Sequence, residues 1–247
     1  MFNFFKKARH NRTVDLSALK TDMHSHLITG IDDGAKTVED SIALVQGLHE
    51  LGYSKLVTTP HIMSEIYPNT KEIINTGLDR LKNDTAALTP NVQLAAAAEY
   101  YLDEVFDSQL QEDRPLLTIS GNMVLVEFSF VSCPLNVNDK IFQMQVKGYQ
   151  PVLAHPERYL YFARSRSQFD EFRGMGCLYQ VNLLSLAGYY GKLSLELAQY
   201  LVTKGYVDFL GTDMHHLRHL DTLRNSGFMM DTFDKLMDSG KIRNPGI

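Results

Sequence analysis

Two short spacings near opposite ends of the chain, His24-Ser25-His26 and Asp213-Met214-His215, can each aim two metal-binding side chains at one point. Alternate residues of a strand project to the same side, so the spacing itself makes a chelating pair. Between them, His61, Glu99, Glu127 and His155 each end an apolar stretch that reads as a strand. The candidate ligands are His24, His26, Asp33, His61, Glu99, Glu127, His155, Asp213 and His215. Mixed imidazole and carboxylate donors suit Mn, Fe or Zn, and Mg where oxygen dominates. Glu99 or Glu127 can bridge two ions, since a carboxylate has two oxygens. Nine donors are too many for one tetrahedral ion and suit two or three ions that share ligands. A lone H-x-H is common by chance, but ligands ending strand after strand are not, and the pattern predicts a metal-dependent hydrolase. His10, His49, His216 and His219 fall outside it and read as surface or supporting residues.

The elements that position these residues alternate. Strands are expected over Asp22–His26, Lys55–Thr59, Val92–Ala98, Met123–Val126, Pro151–Ala154, Cys177–Val181 and Val207–Gly211. Helical spacing of apolar residues marks Val38–Leu51, Lys71–Leu88, Glu104–Leu110, Ile141–Lys147, Gln168–Met175, Leu193–Lys204 and Asp231–Met237, with Thr37 and Asp40 placed as a capping box. Strands separated by helices predict an α/β fold with parallel pairing. Ligand candidates end six of the seven strands, and a closed barrel gathers all such ends round one mouth. The fold expected is therefore a seven-stranded (β/α)7 TIM-like barrel, one domain over residues 20–247 behind an N-terminal extension, 1–19.

Composition narrows the rest. The chain has 247 residues, 44% hydrophobic, and a net charge of −5, which leaves no global basic footprint for nucleic acid. Cys133 and Cys177 are too few for a disulfide framework and predict a reducing compartment. No apolar run is long enough to span a bilayer and the start lacks the pattern of a secretory signal, so the cytoplasm is expected. The basic, aromatic leader Phe2 to Arg12 is a candidate contact for acidic lipid or a partner, with a frayed extension as the plainer reading.

Asp22-Met23-His24-Ser25-His26, Gly30-Ile31-Asp32-Asp33-Gly34-Ala35, Thr59-Pro60-His61, His155-Pro156-Glu157-Arg158-Tyr159 and Asp213-Met214-His215 together resemble the PHP (polymerase and histidinol phosphatase) superfamily. Within it the chain is most similar to the bacterial tyrosine-protein phosphatases of capsule and exopolysaccharide operons, from about residue 20 to about residue 220. The resemblance implies a distorted (β/α)7 barrel of PHP type, three divalent ions with Mn the commonest, and action on phosphotyrosine of a bacterial tyrosine kinase. It assigns metal ligation to the nine residues above, selects Asp33 from the adjacent pair, and gives Arg158 a phosphate-binding role. The family's second phosphate-binding arginine has no direct counterpart: Leu220 holds its usual place, and Arg218 or the more distant Arg224 would have to substitute. Asp33, Arg158 and Arg218 are thus the expected catalytic set.

The chemistry implied is attack of an activated water on a phosphate monoester whose charge the ions neutralise, with Arg158 as a bidentate clamp. Competing chemistries fail on residues. A cysteine-based phosphatase needs Arg six positions after its nucleophile, where Cys133 has Asp139 and Cys177 has Leu183. Gly188-Tyr189-Tyr190-Gly191-Lys192-Leu193 has the wrong glycine spacing for a phosphate loop, and Leu193 stands where Ser or Thr is needed. No serine elbow is present. A small-molecule phosphatase of the histidinol-phosphate kind, an amidohydrolase and a non-catalytic kinase regulator remain as alternatives. Ile66, Tyr67, Tyr100, Tyr101, Phe128, Phe130 and Tyr159 flank the ligands and are candidates to pack against a phenyl ring.

Overall fold

Short apolar runs rich in Val, Leu and Ala form strands that are mostly buried on both faces, as parallel pairing favours, with Gln93–Ala96 the partly exposed exception. The computed structural model describes residues 12–247, so the leader expected to touch lipid or a partner lies outside the described residues apart from Arg12. The strands are β1 (Thr21–Asp22), β2 (Lys55–Thr58), β3 (His61–Ile62), β4 (Gln93–Ala96), β5 (Glu99–Tyr101), β6 (Met123–Glu127), β7 (Gln150–Ala154), β8 (Leu178–Asn182) and β9 (Phe209–Gly211). Every pair is parallel, in one sheet of order β1-β2-β4 and another of order β3-β5-β6-β7-β8-β9.

Seven unbroken strands are expected from the sequence, whereas the described residues hold nine in two sheets. The strands expected over Lys55–Thr59 and Val92–Ala98 are each followed by a further short one. Thr59-Pro60 separates β2 from β3, and proline has no N–H for a ladder. Ala97-Ala98 separates β4 from β5. Hydrogen bonds still cross these breaks: Ala97 N donates to Thr58 O at 2.9 Å and Glu99 N to Pro60 O at 3.1 Å. Beyond β1 and β9, the segments that follow them meet through an isolated parallel bridge between Ser25 and Met214. Asp213 N donates to His24 O and His26 N to Met214 O, both at 2.8 Å. Thr212 adds its N–H and hydroxyl to the Asp22 carboxylate, at 3.0 and 2.6 Å.

The helices are α1 (Val38–Glu50), α2 (Lys71–Thr85), α3 (Glu104–Gln111), α4 (Val137–Val146), α5 (Ser167–Gly174), α6 (Leu183–Leu186), α7 (Lys192–Lys204), α8 (Leu217–Arg224) and α9 (Met230–Asp238). Thr37 and Asp40 form the expected capping box at the start of α1. None of the helices among the described residues is long and apolar enough to cross a membrane. Residues 12–19, the described part of the expected extension, lie against the body: Leu16 and Leu19 are fully buried and Leu16 N donates to Leu51 O.

A separate apolar cluster between the strands includes Met23, Val57, Ala97, Leu125, Val152 and Phe209. Val57, Ala97 and Leu125 precede His61, Glu99 and Glu127 by an even number of residues. They therefore form a dry floor on the face that carries those ligands.

Candidate metal centre

Parallel register sets neighbouring donors side by side. His61 pairs with Glu99 across β3 and β5, and Glu127 lies opposite Tyr101 on the next strand. Glu99 becomes the hub. One oxygen, Oε2, lies 3.1 Å from His24 Nε2, 3.3 Å from His26 Nε2 and 3.3 Å from His61 Nδ1, while Oε1 lies 3.1 Å from His155 Nε2. Glu127 reaches His155 at 3.5 Å and His61 at 3.6 Å. Asp213 Oδ1 lies 3.3 Å from His24 Nε2. Asp33 Oδ1 lies 3.4 Å from both His61 Nε2 and His215 Nε2. The structure thus gathers the sequence-derived ligand candidates, eight of them in three overlapping groups: His24, His26, Glu99 and Asp213; His61, Glu99 and Glu127; and His26, Asp33, His61 and His215. His155 joins through its contacts with the two glutamates.

Neighbours fix how these rings point. His26 Nδ1–H donates to Asp32 at 2.8 Å and His24 Nδ1–H to Gln180 Oε1 at 2.8 Å, so both present Nε2 to the cluster. Gln180 in turn donates to Asn182 Oδ1, and Asn182 Nδ2 to Asp213 Oδ2, both at 2.8 Å. The two adjacent aspartates therefore do different work. Asp32 is buried behind His26, and Asp33, half-exposed, faces His61 and His215. Their loop lies so close that a Cβ on Gly34 would sit 2.2 Å from His26 O. His155 and Asp213 both hold left-handed backbone, φ 31° and 50°, a strain that here turns two donors inward.

The donor set fits divalent ions. His24 Nε2 and His26 Nε2 face one another at 3.3 Å, an arrangement that asks for a proton or a cation between them. The Nδ1 atoms of His61 and His155 are buried without a hydrogen-bond partner among the described residues. Burial lowers His61, but the Glu99 carboxylate, with Asp33 and Glu127, outweighs it and lifts the imidazole to about 9. Against the same burial penalty, His24 and His61 hold Glu99 well below the usual carboxylate range. Glu127 goes the other way, to about 8, from burial and the repulsion of Glu99. Burial, then the charge of Arg158, brings His155 down to about 4, keeping it a neutral donor.

Above the ligands opens a pocket of about 220 Å³, lined by Asp33, His61, Glu127, His155, Asp213 and His215, with Phe130, Arg158, Tyr190, His216 and His219. Arg158 Nη1 donates to Asp213 Oδ2 at 2.8 Å, its one ion pair among the described residues. Its guanidinium sits 4.6 Å from the Phe130 ring centre and 4.2 Å from that of Tyr190, a cation held between two π faces. Arg218 stands apart: it is exposed on the first turn of α8 and does not line the pocket. Two histidines outside the pattern do line it, His219 Nδ1 accepting from His215 N and His216 Nδ1 from His219 N.

The flanking aromatics divide. Phe130 stacks on His155 at 5.5 Å between ring centres and Tyr67 on His61 at 5.6 Å, so these two flank the ligands. Tyr100, Phe128 and Tyr159 are core residues instead: Tyr100 accepts from Leu117 N and Tyr159 from Phe128 N. Asp32, Gln180, Asn182 and Tyr190 are site residues that the sequence reading leaves without a role. Gln180-Val181-Asn182 repeats the alternate-residue spacing of the ligand pairs, and that is the signal that finds it.

The chain matches the family described as capsular polysaccharide synthesis, CpsB/CapC, over residues 20–225. It is 26% identical over 202 residues to the tyrosine-protein phosphatase CpsB of Streptococcus agalactiae, covering 79% of this chain and 83% of that one. It is 26% identical over 197 residues to the tyrosine-protein phosphatase YwqE of Bacillus subtilis, covering 80% and 78%. Among solved structures, one from the pair YwqE of Bacillus subtilis and CpsB of Streptococcus pneumoniae, metal-dependent tyrosine phosphatases, superposes with TM-score 0.78 at 25% identity over 87% of this chain and 86% of that one. A lactonase from Listeria monocytogenes shares the fold alone, with TM-score 0.55 at 11% identity over 95% and 94%. With the match running through every strand and every ligand candidate, the chain belongs to the CpsB/CapC family of capsular polysaccharide synthesis proteins.

Proposed function

We propose that the protein is a metal-dependent phosphomonoesterase that hydrolyses phosphotyrosine in a partner protein, a bacterial tyrosine kinase of polysaccharide synthesis or export. The observation that carries this reading is the pairing of a buried imidazole and carboxylate cluster with a guanidinium held flat at its rim, in a chain whose relatives are tyrosine-protein phosphatases. The nine gathered residues would hold two or three divalent ions, Mn first, with Fe, Zn or Mg as alternatives. When bound, such ions supply positive charge for the phosphoryl oxygens and an activated water.

The chain's own groups do the rest. Arg158 offers its free N–H edge to a phosphoryl oxygen, its orientation fixed by Asp213 on one side and two rings on its faces. Phe130 and Tyr67 offer apolar faces to a phenyl ring. Asp32, Gln180 and Asn182 hold ligand donors in place, so little reorganisation accompanies the reaction. A phenolate is a good leaving group, so no strong general acid is required.

The fold reading follows the same logic. Counting β2 with β3 and β4 with β5 gives seven strands, and the Ser25–Met214 bridge supports joining the first to the last in one (β/α)7 barrel over residues 20–247. The reducing compartment that two unpaired cysteines suggest is the cytoplasm.

The test is a matched panel under saturating Mn: a phosphotyrosine peptide, a phosphoserine peptide and histidinol phosphate. Phosphotyrosine is expected to have the highest kcat/KM, and chelation to abolish all turnover. A preference for histidinol phosphate overturns the tyrosine assignment, and chelator-resistant turnover overturns the metal centre.

A further inference from the structure

The site pocket is small, but it opens beside a much larger groove. Between α3 and α4 runs a cavity of about 990 Å³, against about 220 Å³ for the ligand pocket. No residue lines both, but their walls adjoin along the chain. Tyr101 and Ser129, which line the groove, each lie two residues beyond a ligand candidate, Glu99 and Glu127, and Ser129 adjoins Phe130 of the pocket wall. A side chain that reaches the ligands from outside therefore has its flanking polypeptide at the groove's entrance.

The groove's charge is lopsided. It contains two lysines, and both are already neutralised: Lys140 pairs with Asp107 and Lys147 with Asp113. Asp103 spends its carboxylate on the N–H groups of Phe106 and Ser64. Glu104 and Asp139 remain, both exposed and without an ion pair among the described residues. The roof is apolar. Val131 and Leu135, in the loop between β6 and α4, are 88% and 86% exposed, the most exposed large apolar side chains among the described residues. Leu135 lines the groove itself. An acidic wall excludes anionic lipid and nucleic acid, which carry the wrong sign.

The geometry points to this groove as the docking site for the polypeptide that flanks the phosphotyrosine, a segment with a basic residue to face Glu104 and Asp139 and an apolar one to cover Leu135. The assignment rests on the phosphotyrosine reading. It adds that selectivity between phosphoproteins comes from the neighbouring sequence, through long-range attraction and apolar cover, while the pocket reads the phosphate.

The experiment separates docking from chemistry. Two synthetic peptides carry Phe at the tyrosine position, one flanked by Lys and Leu, the other by Glu and Ser. Binding to the full-length, Mn-loaded protein is measured by calorimetry, alongside turnover of p-nitrophenyl phosphate. The basic peptide is expected to bind at least about tenfold tighter, with the preference fading as salt screens exposed charge. Glu104→Lys with Asp139→Lys should reverse the preference, and Leu135→Asp should weaken both peptides. Both acidic residues sit in the first turn of a helix, where a reversed charge is unfavourable. The milder pair Glu104→Gln and Asp139→Asn, expected to erase the preference, covers the case in which the reversal unfolds the protein. Aryl phosphate turnover should stay within about twofold in all of them. Equal binding of the two peptides, undetectable binding of both, or a preference that survives the double neutralisation overturns the groove. Loss of p-nitrophenyl phosphate turnover in the unmodified protein, with the preference intact, overturns the phosphatase reading alone.

Discussion

The deep and the outer halves of the cluster are built from the same residue types but held in different ways. His24, His26, Glu99 and Asp213 are all buried, and their orienting partners, Asp32, Gln180 and Asn182, are buried too. The outer group shares only His26 with it; beside the buried His61 it holds Asp33, whose side chain is 48% exposed on a loop, and His215, which is partly exposed. His215 bonds through Nδ1 to its neighbour's carbonyl, Asp213 O, at 2.8 Å, and its ring stacks on His26 at 4.0 Å between centres. No buried acid or amide stands behind it among the described residues as Asp32 and Gln180 stand behind His26 and His24. A donor fixed in a dry interior loses little freedom on binding an ion, whereas one on a loop must be ordered first. The deep half should therefore bind metal tightly and the outer half exchange it readily.

The largest effect should come from the hub. Glu99→Ala removes a carboxylate shared by four imidazoles, and we expect a loss of at least about a hundredfold in aryl phosphate turnover. Metal per chain should fall below two by elemental analysis. Asp33→Ala is the matched change outside: about one ion lost and a smaller fall in rate. Equal metal loss in the two variants would erase the distinction between deep and outer halves.

Next in size is the support behind the deep half. Gln180→Met keeps roughly the volume but removes the acceptor for His24 Nδ1 and the donor to Asn182. With the His24 tautomer no longer fixed, Mn affinity by titration should weaken about ten- to a hundredfold. A variant that melts earlier yet binds Mn as before would make Gln180 a structural filler.

How much of this is legible in the sequence depends on parity. The pairs His24-His26 and Asp213-His215, and an acid or imidazole at each strand end, reveal the cluster because alternation leaves few other geometries. The same rule, carried one residue further, separates the aromatics. Tyr100 and Phe128 immediately follow Glu99 and Glu127, so they face the opposite side and enter the core. Other features need coordinates. Asp32 and Asp33 are chemically identical, and only the fold of their loop decides which lies behind His26. Gln180 and Asn182 carry no charge to draw attention, and Tyr190 arrives from the turn between α6 and α7, far from any ligand in sequence. Strand breaks are half-legible: Pro60 announces one, whereas nothing in Ala97-Ala98 announces the other.

The smallest effect should separate two arginines that a motif reading treats alike. Arg158 is pinned between Phe130, Tyr190 and Asp213 within the pocket, and Arg218 is an exposed side chain at the start of α8. Arg158→Lys keeps the charge but loses the planar fork, and phosphotyrosine kcat/KM should fall about tenfold or more with metal content unchanged. Arg218→Ala should change kcat/KM by less than about threefold, because a mobile surface cation contributes mainly screened, long-range attraction. That small remainder should vanish at high salt, whereas the Arg158→Lys deficit should persist, since a desolvated contact is screened much less. A salt-independent loss in Arg218→Ala matching that of Arg158→Lys would mean that α8 swings Arg218 onto the phosphate when substrate binds. The pocket's outer wall would then be assembled by the substrate and not by the fold.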